Sequence, residues 1–262
     1  MIRALSGFLR LSVILSISIV MLAFLAGASV AEGFKGRQIT VAAASDLAFA
    51  LKEISASFEA ETGARVVISF GSTGMLTRQI EQGAPFDLFF SAGETYMDVL
   101  KKGGHTLTGT ERLYARGALV LAVGKGISID RPTLEDLTRP EIKRIVIANP
   151  DHAPYGIAAM EALKSAGLLS RVKGKLVYAE NIRQAMQYIQ TGDAQAGLIA
   201  LSLAKAEQVK YSGIDTKLHG PINQVAAVIR GSRDKAVARA FLEYACGPLG
   251  RSVLKNYGFT LP

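Results

Sequence analysis

The chain has one cysteine, no tryptophan and three histidines among its 262 residues. The single thiol, Cys246, excludes an internal disulfide and a cysteine-based metal site. His105, His152 and His219 lie far apart in the chain, without the spacing of metal ligands. The sequence also lacks a Gly-x-Ser-x-Gly elbow, a His-Glu-x-x-His motif and a phosphate loop ending in Gly-Lys-Ser/Thr. These absences disfavour the common hydrolases and metalloenzymes, and we expect neither an enzyme nor a bound cofactor.

Charge is present in both signs but is not clustered. The 30 Lys and Arg residues exceed the 22 Asp and Glu residues, which gives a formal net charge of +8. The basic residues are scattered among the acids, and no basic cluster is interleaved with aromatic residues. That distribution argues against a nucleic-acid partner. The sequence shows no fixed-period repeat and no low-complexity segment.

The one long apolar run lies at the N-terminus and predicts export. Arg3 and Arg10 precede an almost wholly apolar stretch, residues 11–25, and small residues follow up to Ala31. This is the pattern of a signal peptide, and we place the cleavage after Ala31, so that residues 1–31 are removed. An uncleaved N-terminal anchor is the alternative, since the apolar run is nearly long enough to span a bilayer. No cysteine lies near the boundary, which argues against lipid attachment.

A Gly-Ser-Thr-Gly corner at residues 71–74 is the most informative local pattern. The β-branched run at residues 66–70 predicts a buried strand, and a helical face begins at Leu76 and ends at Gly83. A strand that breaks into a helix at such a corner leaves main-chain N–H groups without partners and adds two hydroxyls at the positive end of the helix dipole. The corner can therefore bind an anion, although its hydroxyls can also serve only as a helix cap.

A similar corner occurs earlier in the chain, where an apolar run at residues 39–44 ends at Ser45 and Asp46 before a helical pattern. Strands and helices then alternate along the whole chain, which predicts an α/β fold with mostly parallel sheets flanked by helices. In such folds ligands bind beyond the carboxyl ends of the strands, where both corners lie. The pairing of two corners favours the anion site over the simple cap.

Two long apolar strands, residues 118–123 and 224–229, are candidates for crossings between two lobes. On this interpretation lobe one comprises residues 32–117 and 225–262, lobe two comprises residues 118–224, and the two crossing strands form a hinge. A cleft between the lobes is then the expected ligand site. One compact doubly wound domain fits the pattern nearly as well.

Several motifs, in order and from about residue 38 to the end, are similar to those of the molybdate-binding periplasmic protein family. They are Ala42-Ala-Ala-Ser45, Gly71-Ser-Thr-Gly74, Arg78-Gln-Ile-Glu-Gln-Gly-Ala-Pro85, Asp87-Leu-Phe-Phe-Ser-Ala92, Asn149-Pro-Asp-His-Ala-Pro-Tyr-Gly156, Tyr178-Ala-Glu-Asn-Ile182 and the ending from Gly247 to Phe259. The resemblance implies a two-lobed type II periplasmic-binding fold. It also implies a monomeric periplasmic protein that captures molybdate, and tungstate with it, for the membrane permease of an ABC importer.

The resemblance also implies a ligand set of uncharged donors. The residues at matching positions are Ser45, Asp46, Ser72, Thr73, Tyr155 and Ile182. Molybdenum would be held as its oxyanion, chiefly by Ser45, Thr73, Tyr155 and Ile182, without a direct bond from the protein to the metal. Tyr155 would contribute its hydroxyl and Ile182 its main-chain N–H. We expect the Asp46 carboxylate to turn away from a dianion, which it would repel, and its N–H to take part.

Two alternatives stay open at this point. The first is a binding protein for another tetrahedral oxyanion, such as sulfate or phosphate. We expect a singly protonated phosphate to find no acceptor for its proton, whereas rejection of sulfate would depend on pocket size. The second, from another functional class, is a secreted hydrolase that uses Ser45.

Overall fold

The computed structural model describes residues 33–262, so the predicted signal peptide lies outside the described part of the chain. Its strands are β1 (Gln38–Ala44), β2 (Arg65–Gly71), β3 (Leu88–Ser91), β4 (Arg112–Gly117), β5 (Leu119–Val123), β6 (Ile145–Ala148), β7 (Leu176–Ala179), β8 (Ala196–Ala200), β9 (Lys210–Gly213) and β10 (Ile222–Val228). The α-helices are α1 (Ala50–Thr62), α2 (Thr73–Glu81), α3 (Glu94–Lys102), α4 (Pro154–Ser165), α5 (Leu169–Val172), α6 (Ile182–Thr191), α7 (Leu201–Ala206), α8 (Lys235–Cys246) and α9 (Pro248–Asn256). Short 3-10 helices occupy Ser45–Leu47, Leu134–Thr138, Lys173–Lys175 and Thr216–Leu218.

The strands form two five-stranded sheets, in the orders β2-β1-β3-β10-β4 and β7-β6-β8-β5-β9. We call the first sheet, with the helices packed on it, lobe one, and the second sheet, with its helices, lobe two. The α/β fold with two sheets and flanking helices is confirmed. The sheets are mixed, however, because one strand of each runs against the other four: β10 and β5 are antiparallel to both of their neighbours. Each antiparallel strand is the first strand that follows a passage of the chain between the sheets.

The chain passes between the sheets just before the two strands predicted to cross. β4 belongs to the first sheet and ends at Gly117, and β5 begins the second sheet at Leu119, so that Ala118 alone separates them. The return runs through residues 214–221, and β10 then lies wholly in the first sheet. The outer strands β4 and β9 carry polar residues and were not anticipated from the sequence.

Lobe one is held together by apolar helix faces on both sides of its sheet. On one side Phe58 of α1 and Phe241 of α8 meet edge to face with ring centroids 5.1 Å apart, and Phe90 of β3 lies 6.2 Å from Phe241. On the other side, buried residues of α2 and α3 cover the sheet. Helix α1 ends at Gly63, whose φ of 68° lies in the left-handed region that glycine adopts without strain.

Lobe two has its own apolar core, which continues onto three alanines of lobe one. These are Ala44, Ala48 and Ala92, which flank the ends of β1 and β3. The two lobes therefore touch at the carboxyl ends of their strands, where the sequence places its polar corners. Within residues 33–262, no helix has both the length and the apolar character that a membrane span requires.

Candidate functional site

A small cavity lies between the lobes and brings together all six residues expected to bind a ligand. Its lining is Ala44, Ser45, Asp46, Gly71, Ser72, Thr73, Ala92, Ala153, Pro154, Tyr155 and Ile182. The cavity has about 210 Å³ of space between these atoms, part of it open to solvent. The lining from lobe one follows directly after β1, β2 and β3, and the lining from lobe two follows β6 and β7. The site thus lies beyond the carboxyl ends of parallel strands in both sheets.

Three helices direct their N-termini at this cavity, and each has a main-chain donor to spare. Helices α2, α4 and α6 contribute the N–H groups of Thr73, Tyr155 and Ile182, which have no acceptor among residues 33–262. Asn181 caps α6, since its Oδ1 accepts from the N–H groups of Arg183 and Gln184. That cap leaves the Ile182 N–H unused. Three helix dipoles then place partial positive charge around one small space.

The three hydroxyls of lobe one differ in the hydrogen bonds that they already make within the protein. Ser72 stands at the N-cap position of α2, but its Oγ makes no cap bond, is buried and has no partner among the described residues. The Oγ1 of Thr73 accepts the Ala92 N–H at 3.3 Å, which leaves the Thr73 proton free to be donated. Ser45 Oγ donates to the carbonyl of Gly71 at 2.9 Å and has to rotate to reach a ligand. Capping alone therefore does not account for Ser72.

The Asp46 carboxylate is buried and does not turn out to solvent. It accepts a hydrogen bond from the Tyr155 hydroxyl, the group that we expected to bind the ligand. The residue is 1 % exposed, and its Oδ2 accepts from the Tyr155 hydroxyl at 3.1 Å and from Gln224 Nε2 at 2.8 Å. Its Oδ1 is buried without a hydrogen-bond partner in the described chain. Burial raises the pKa of Asp46 to about 6, although the two donors and nearby main-chain N–H groups lower it. One lining residue therefore has a carboxylate oxygen with unused acceptor capacity, which our expectation for phosphate did not include.

Gln224 and Tyr114 belong to this network and were missed in the sequence. Gln224 is fully buried and links the Tyr114 hydroxyl, which donates to its Oε1 at 3.2 Å, to Asp46. Burial and the Asp46 charge raise the pKa of both Tyr114 and Tyr155 well above 10. The signal that could have found Gln224 is its amide at the start of an otherwise apolar run, because a buried polar group needs a partner.

Two further hydrogen bonds join the lobes beside the cavity. The Gly74 N–H, in the first turn of α2, donates to the His152 carbonyl at 2.9 Å. The Ser202 hydroxyl, at the start of α7, donates to the Asp46 carbonyl at 2.7 Å. A side chain on Gly74 would place its Cβ 2.8 Å from the ring of Tyr96 and 2.9 Å from the His152 carbonyl oxygen. Glycine is therefore required at this position for the lobes to approach as closely as they do.

A second close approach is found where the chain passes between the sheets. A Cβ on Gly117 would lie 2.1 Å from the Tyr155 hydroxyl oxygen and 3.1 Å from Gln224 Nε2. The passage at Gly117 therefore lies directly against the network that holds Asp46.

The lining contains no lysine or arginine, and Asp46 is its one ionisable acid. Charged residues do occur near the opening, on the loop before α4 and on α2. Burial lowers the pKa of His152, and Arg78 lowers it further. Across residues 33–262, no three His, Cys, Asp or Glu side chains cluster in a way that could hold a metal ion. The site is chemically a set of neutral donors with one buried carboxyl group.

Comparison with known proteins gives a consistent picture. The profile of the bacterial extracellular solute-binding protein family matches residues 39–260. The molybdate-binding protein ModA of Azotobacter vinelandii is 37% identical over 228 residues, which cover 86% of this chain and 90% of that protein. ModA of Escherichia coli K12 is 36% identical over 232 residues, which cover 86% of this chain and 89% of its own length. The structure of the Azotobacter vinelandii periplasmic molybdate-binding protein superposes with a TM-score of 0.81 at 31% identity, covering 86% of this chain and 99% of that one.

Proposed function

This chain belongs to the ModA family of bacterial extracellular solute-binding proteins, and on that premise we propose that it captures molybdate between its lobes for an ABC importer. Tungstate, which has the same charge and shape, is the second expected ligand. The relatives named above are molybdate-binding proteins, and the close superposition extends over almost the whole of one of them. The partner that receives the anion is the membrane permease of the importer.

One observation supports this function most directly. Three helix N-termini and two hydroxyl groups that can still donate a hydrogen bond surround a cavity whose lining contains no lysine or arginine. The main-chain N–H groups of Thr73, Tyr155 and Ile182, together with Ser72 Oγ and Thr73 Oγ1, are donors without a competing acceptor in the described chain. A tetrahedral dianion offers several acceptor oxygens and needs no protein acceptor in return. Hydrogen bonds to a charged group contribute roughly 1.5–3 kcal/mol each. Together these bonds must also offset the free energy of dehydrating the anion.

We propose roles for the six residues on this basis. The oxyanion oxygens accept from the N–H groups at the starts of α2, α4 and α6 and from the hydroxyls of Ser45, Ser72 and Thr73. Molybdenum itself touches no protein atom. The Tyr155 hydroxyl donates to Asp46 Oδ2, so it can donate to the ligand only if that hydrogen bond is broken.

We also propose that the protein is a monomeric periplasmic binding protein and not an enzyme. Ser45, the one candidate nucleophile, donates its hydroxyl to the Gly71 carbonyl and has no base within hydrogen-bonding distance among the described residues. The two lobes would move about the two passages of the chain between the sheets, one at Ala118 and the other at residues 214–221 before β10. Closure around the anion would bury it, and opening would release it to the permease.

A second ligand class is favoured by one specific feature, the unpartnered Oδ1 of Asp46. An ionised carboxylate in the lining is an acceptor, and monohydrogen phosphate carries a proton that it could donate there. Molybdate and sulfate carry no such proton at neutral pH. A phosphate-binding protein is therefore the competing proposal.

Calorimetric titration of the mature chain with molybdate, tungstate, sulfate and phosphate separates these proposals. We expect micromolar or tighter dissociation constants for molybdate and tungstate, which correspond to about 8 kcal/mol or more of binding free energy. Sulfate and phosphate should bind at least tenfold more weakly. A preference for phosphate or sulfate of tenfold or more would refute the molybdate assignment. The Ser45→Ala variant, assayed with ester and phosphoester substrates beside the parent, tests the hydrolase alternative.

A further inference from the structure

We propose that binding of the oxyanion takes up one proton at Asp46, so that this residue enters the complex as a neutral carboxylic acid and donates from Oδ1 to a ligand oxygen. The proposal rests on the proposed function, because it takes a dianion as the ligand. On this proposal, the one acidic residue of the lining donates a hydrogen bond to the dianion instead of repelling it.

The first argument is geometric. Asp46 Oδ2 is held by Tyr155 from lobe two and Gln224 from β10, at 3.1 Å and 2.8 Å, and the Asp46 carbonyl is held by Ser202. The carboxylate therefore cannot swing out of the lining without breaking buried hydrogen bonds. Its other oxygen, Oδ1, is buried without a partner in the described chain, in the lining that also contains the free donors. A dianion in this cavity meets that oxygen.

The second argument concerns charge. Two negative groups in one buried space repel each other strongly, and the pKa of a carboxyl beside another anion rises for that reason. Burial raises the pKa of Asp46 to about 6, and the charge of an anion beside it would raise the pKa further. The donors to Oδ2 are a hydroxyl and an amide, so no positive side chain offsets the carboxylate charge. Proton uptake removes the repulsion at a lower cost than moving the side chain.

Among residues 33–262, we expect no other ionisable side chain next to Asp46 to take up the proton in its place. The titratable side chains that face it are Tyr155 from α4 and Tyr114 from β4, and burial raises the pKa of both well above 10. The helices α1, α6 and α7 pack against the turn that carries Asp46. The charged residues of α6 and α7 are Arg183 and Lys205, and those at the start of α1 are Lys52 and Glu53. Lys52, Glu53 and Lys205 are exposed, and the Arg183 guanidinium lies over the Phe49 ring at 5.9 Å from its centroid.

The proton balance is simple. Above pH 7 the carboxyl of the ligand-free protein is ionised, and the incoming dianion brings no proton. One proton from solvent forms an O–H bond at Oδ1, and Oδ2 keeps both of its hydrogen bonds as a carbonyl oxygen. Neutralisation thus adds one donor, the Oδ1 hydroxyl, and removes the charge of the one acidic residue in the lining.

Among the described residues, His152 is a second candidate for the proton that is taken up. Its imidazole is half-buried, its Nδ1 has no partner in the described residues, and burial lowers its pKa below the ordinary histidine value. An anion that binds nearby would also favour protonation of this ring. The experiment must therefore distinguish uptake at Asp46 from uptake at His152.

Calorimetry with sodium molybdate at pH 7.5, in buffers of small and large ionisation enthalpy, counts the protons directly. For the parent chain we expect close to one proton taken up per anion, and a dissociation constant that weakens about tenfold per pH unit between pH 7 and 8.5. For Asp46→Asn, which keeps an acceptor for Tyr155 and Gln224 and places an amide at the Oδ1 position, we expect uptake near zero and an affinity that does not change with pH. His152→Gln and Glu180→Gln, an exposed carboxylate beside α6, should behave as the parent does.

Three results would overturn the proposal. Buffer-independent heats for the parent would show that no proton is taken up, although molybdate binds. Loss of the uptake in His152→Gln but not in Asp46→Asn would assign the proton to histidine. Absence of molybdate binding to the parent in every buffer would refute the proposed function together with this inference, and circular dichroism of each variant shows whether it is folded.

Discussion

Substitution of Gly74 by alanine should separate ligand binding from folding. The new Cβ would lie 2.8 Å from the Tyr96 ring and 2.9 Å from the His152 carbonyl, and the second of these atoms belongs to the main chain of lobe two. Ordinary contacts of this kind begin near 3.4 Å, so the lobes have to move apart by roughly 0.5 Å or more. Within lobe one only the half-buried Tyr96 ring has to shift, and alanine in place of glycine favours the helix by about 0.5–1 kcal/mol, so we expect this lobe to tolerate the change.

The magnitude follows from what the closed arrangement loses. Overpacking costs about 1–3 kcal/mol, and the Gly74 N–H bond to His152 contributes about 1 kcal/mol more. Since each 1.4 kcal/mol is a factor of ten, we expect molybdate affinity to fall roughly 30- to 1,000-fold. The thermal midpoint of the ligand-free protein should stay within a few degrees of the parent.

Calorimetry with molybdate and thermal unfolding by circular dichroism measure the two effects. Gly126→Ala is the matched control, since nothing lies within 4 Å of its added Cβ and its φ is not in the left-handed region. An affinity for Gly74→Ala within threefold of the control would show that the close approach of the lobes at Gly74 is not part of the bound state. Loss of folding in Gly74→Ala, with the control folded, would refute the claim that lobe one tolerates the change.

Three further predictions concern the lining. Thr73→Ala should weaken molybdate binding by about 1–2 kcal/mol, while Thr73→Ser restores it, because the hydroxyl that accepts from Ala92 has a proton left to donate. In Tyr155→Phe the ionised form of Asp46 loses a donor, so the pH above which molybdate affinity falls should rise from about 6; an unchanged pH profile would contradict the bond between these groups. The folded-state pKa of Asp46 lies above its ordinary value, so this group's contribution to stability is complete below about pH 4 and lost as pH rises through about 6. Asp46→Asn should therefore raise the thermal midpoint of the ligand-free protein by several degrees at pH 7.5 and much less at pH 4.5, because the shift corresponds to at most about 3 kcal/mol.

Much of the fold could be read from the residues because the buried strands are nearly continuous apolar runs and the helices have clear apolar faces. The edge strands β4 and β9 escaped detection, since an edge strand faces solvent and carries polar residues such as Arg112 and Lys210. The antiparallel setting of β5 and β10 was also missed. Direction depends on how the chain returns to a sheet, and strand composition carries little of that information.

The candidate site, like the fold, has features that local sequence predicts and features that it does not. The positions of Ser45, Thr73 and Ile182 follow from strand-to-helix corners, which local sequence reveals. The fate of the Asp46 carboxylate does not, because its partner Gln224 is 178 residues away and reaches it only through the topology of the first sheet. Repulsion between a carboxylate and a dianion was a sound expectation, but it fixed neither the direction in which the side chain would turn nor the hydroxyl that would hold it.

The glycine at position 117 has a consequence for how such a protein can open. Its missing side chain is the space that the Tyr155 hydroxyl occupies, at the very residue where the backbone leaves one sheet for the other. If the lobes rotate about this passage of the chain, as we propose, the Tyr155 hydroxyl must move with the turning backbone. We therefore expect rotation of the lobes to be coupled to breakage of the hydrogen bond from Tyr155 to Asp46.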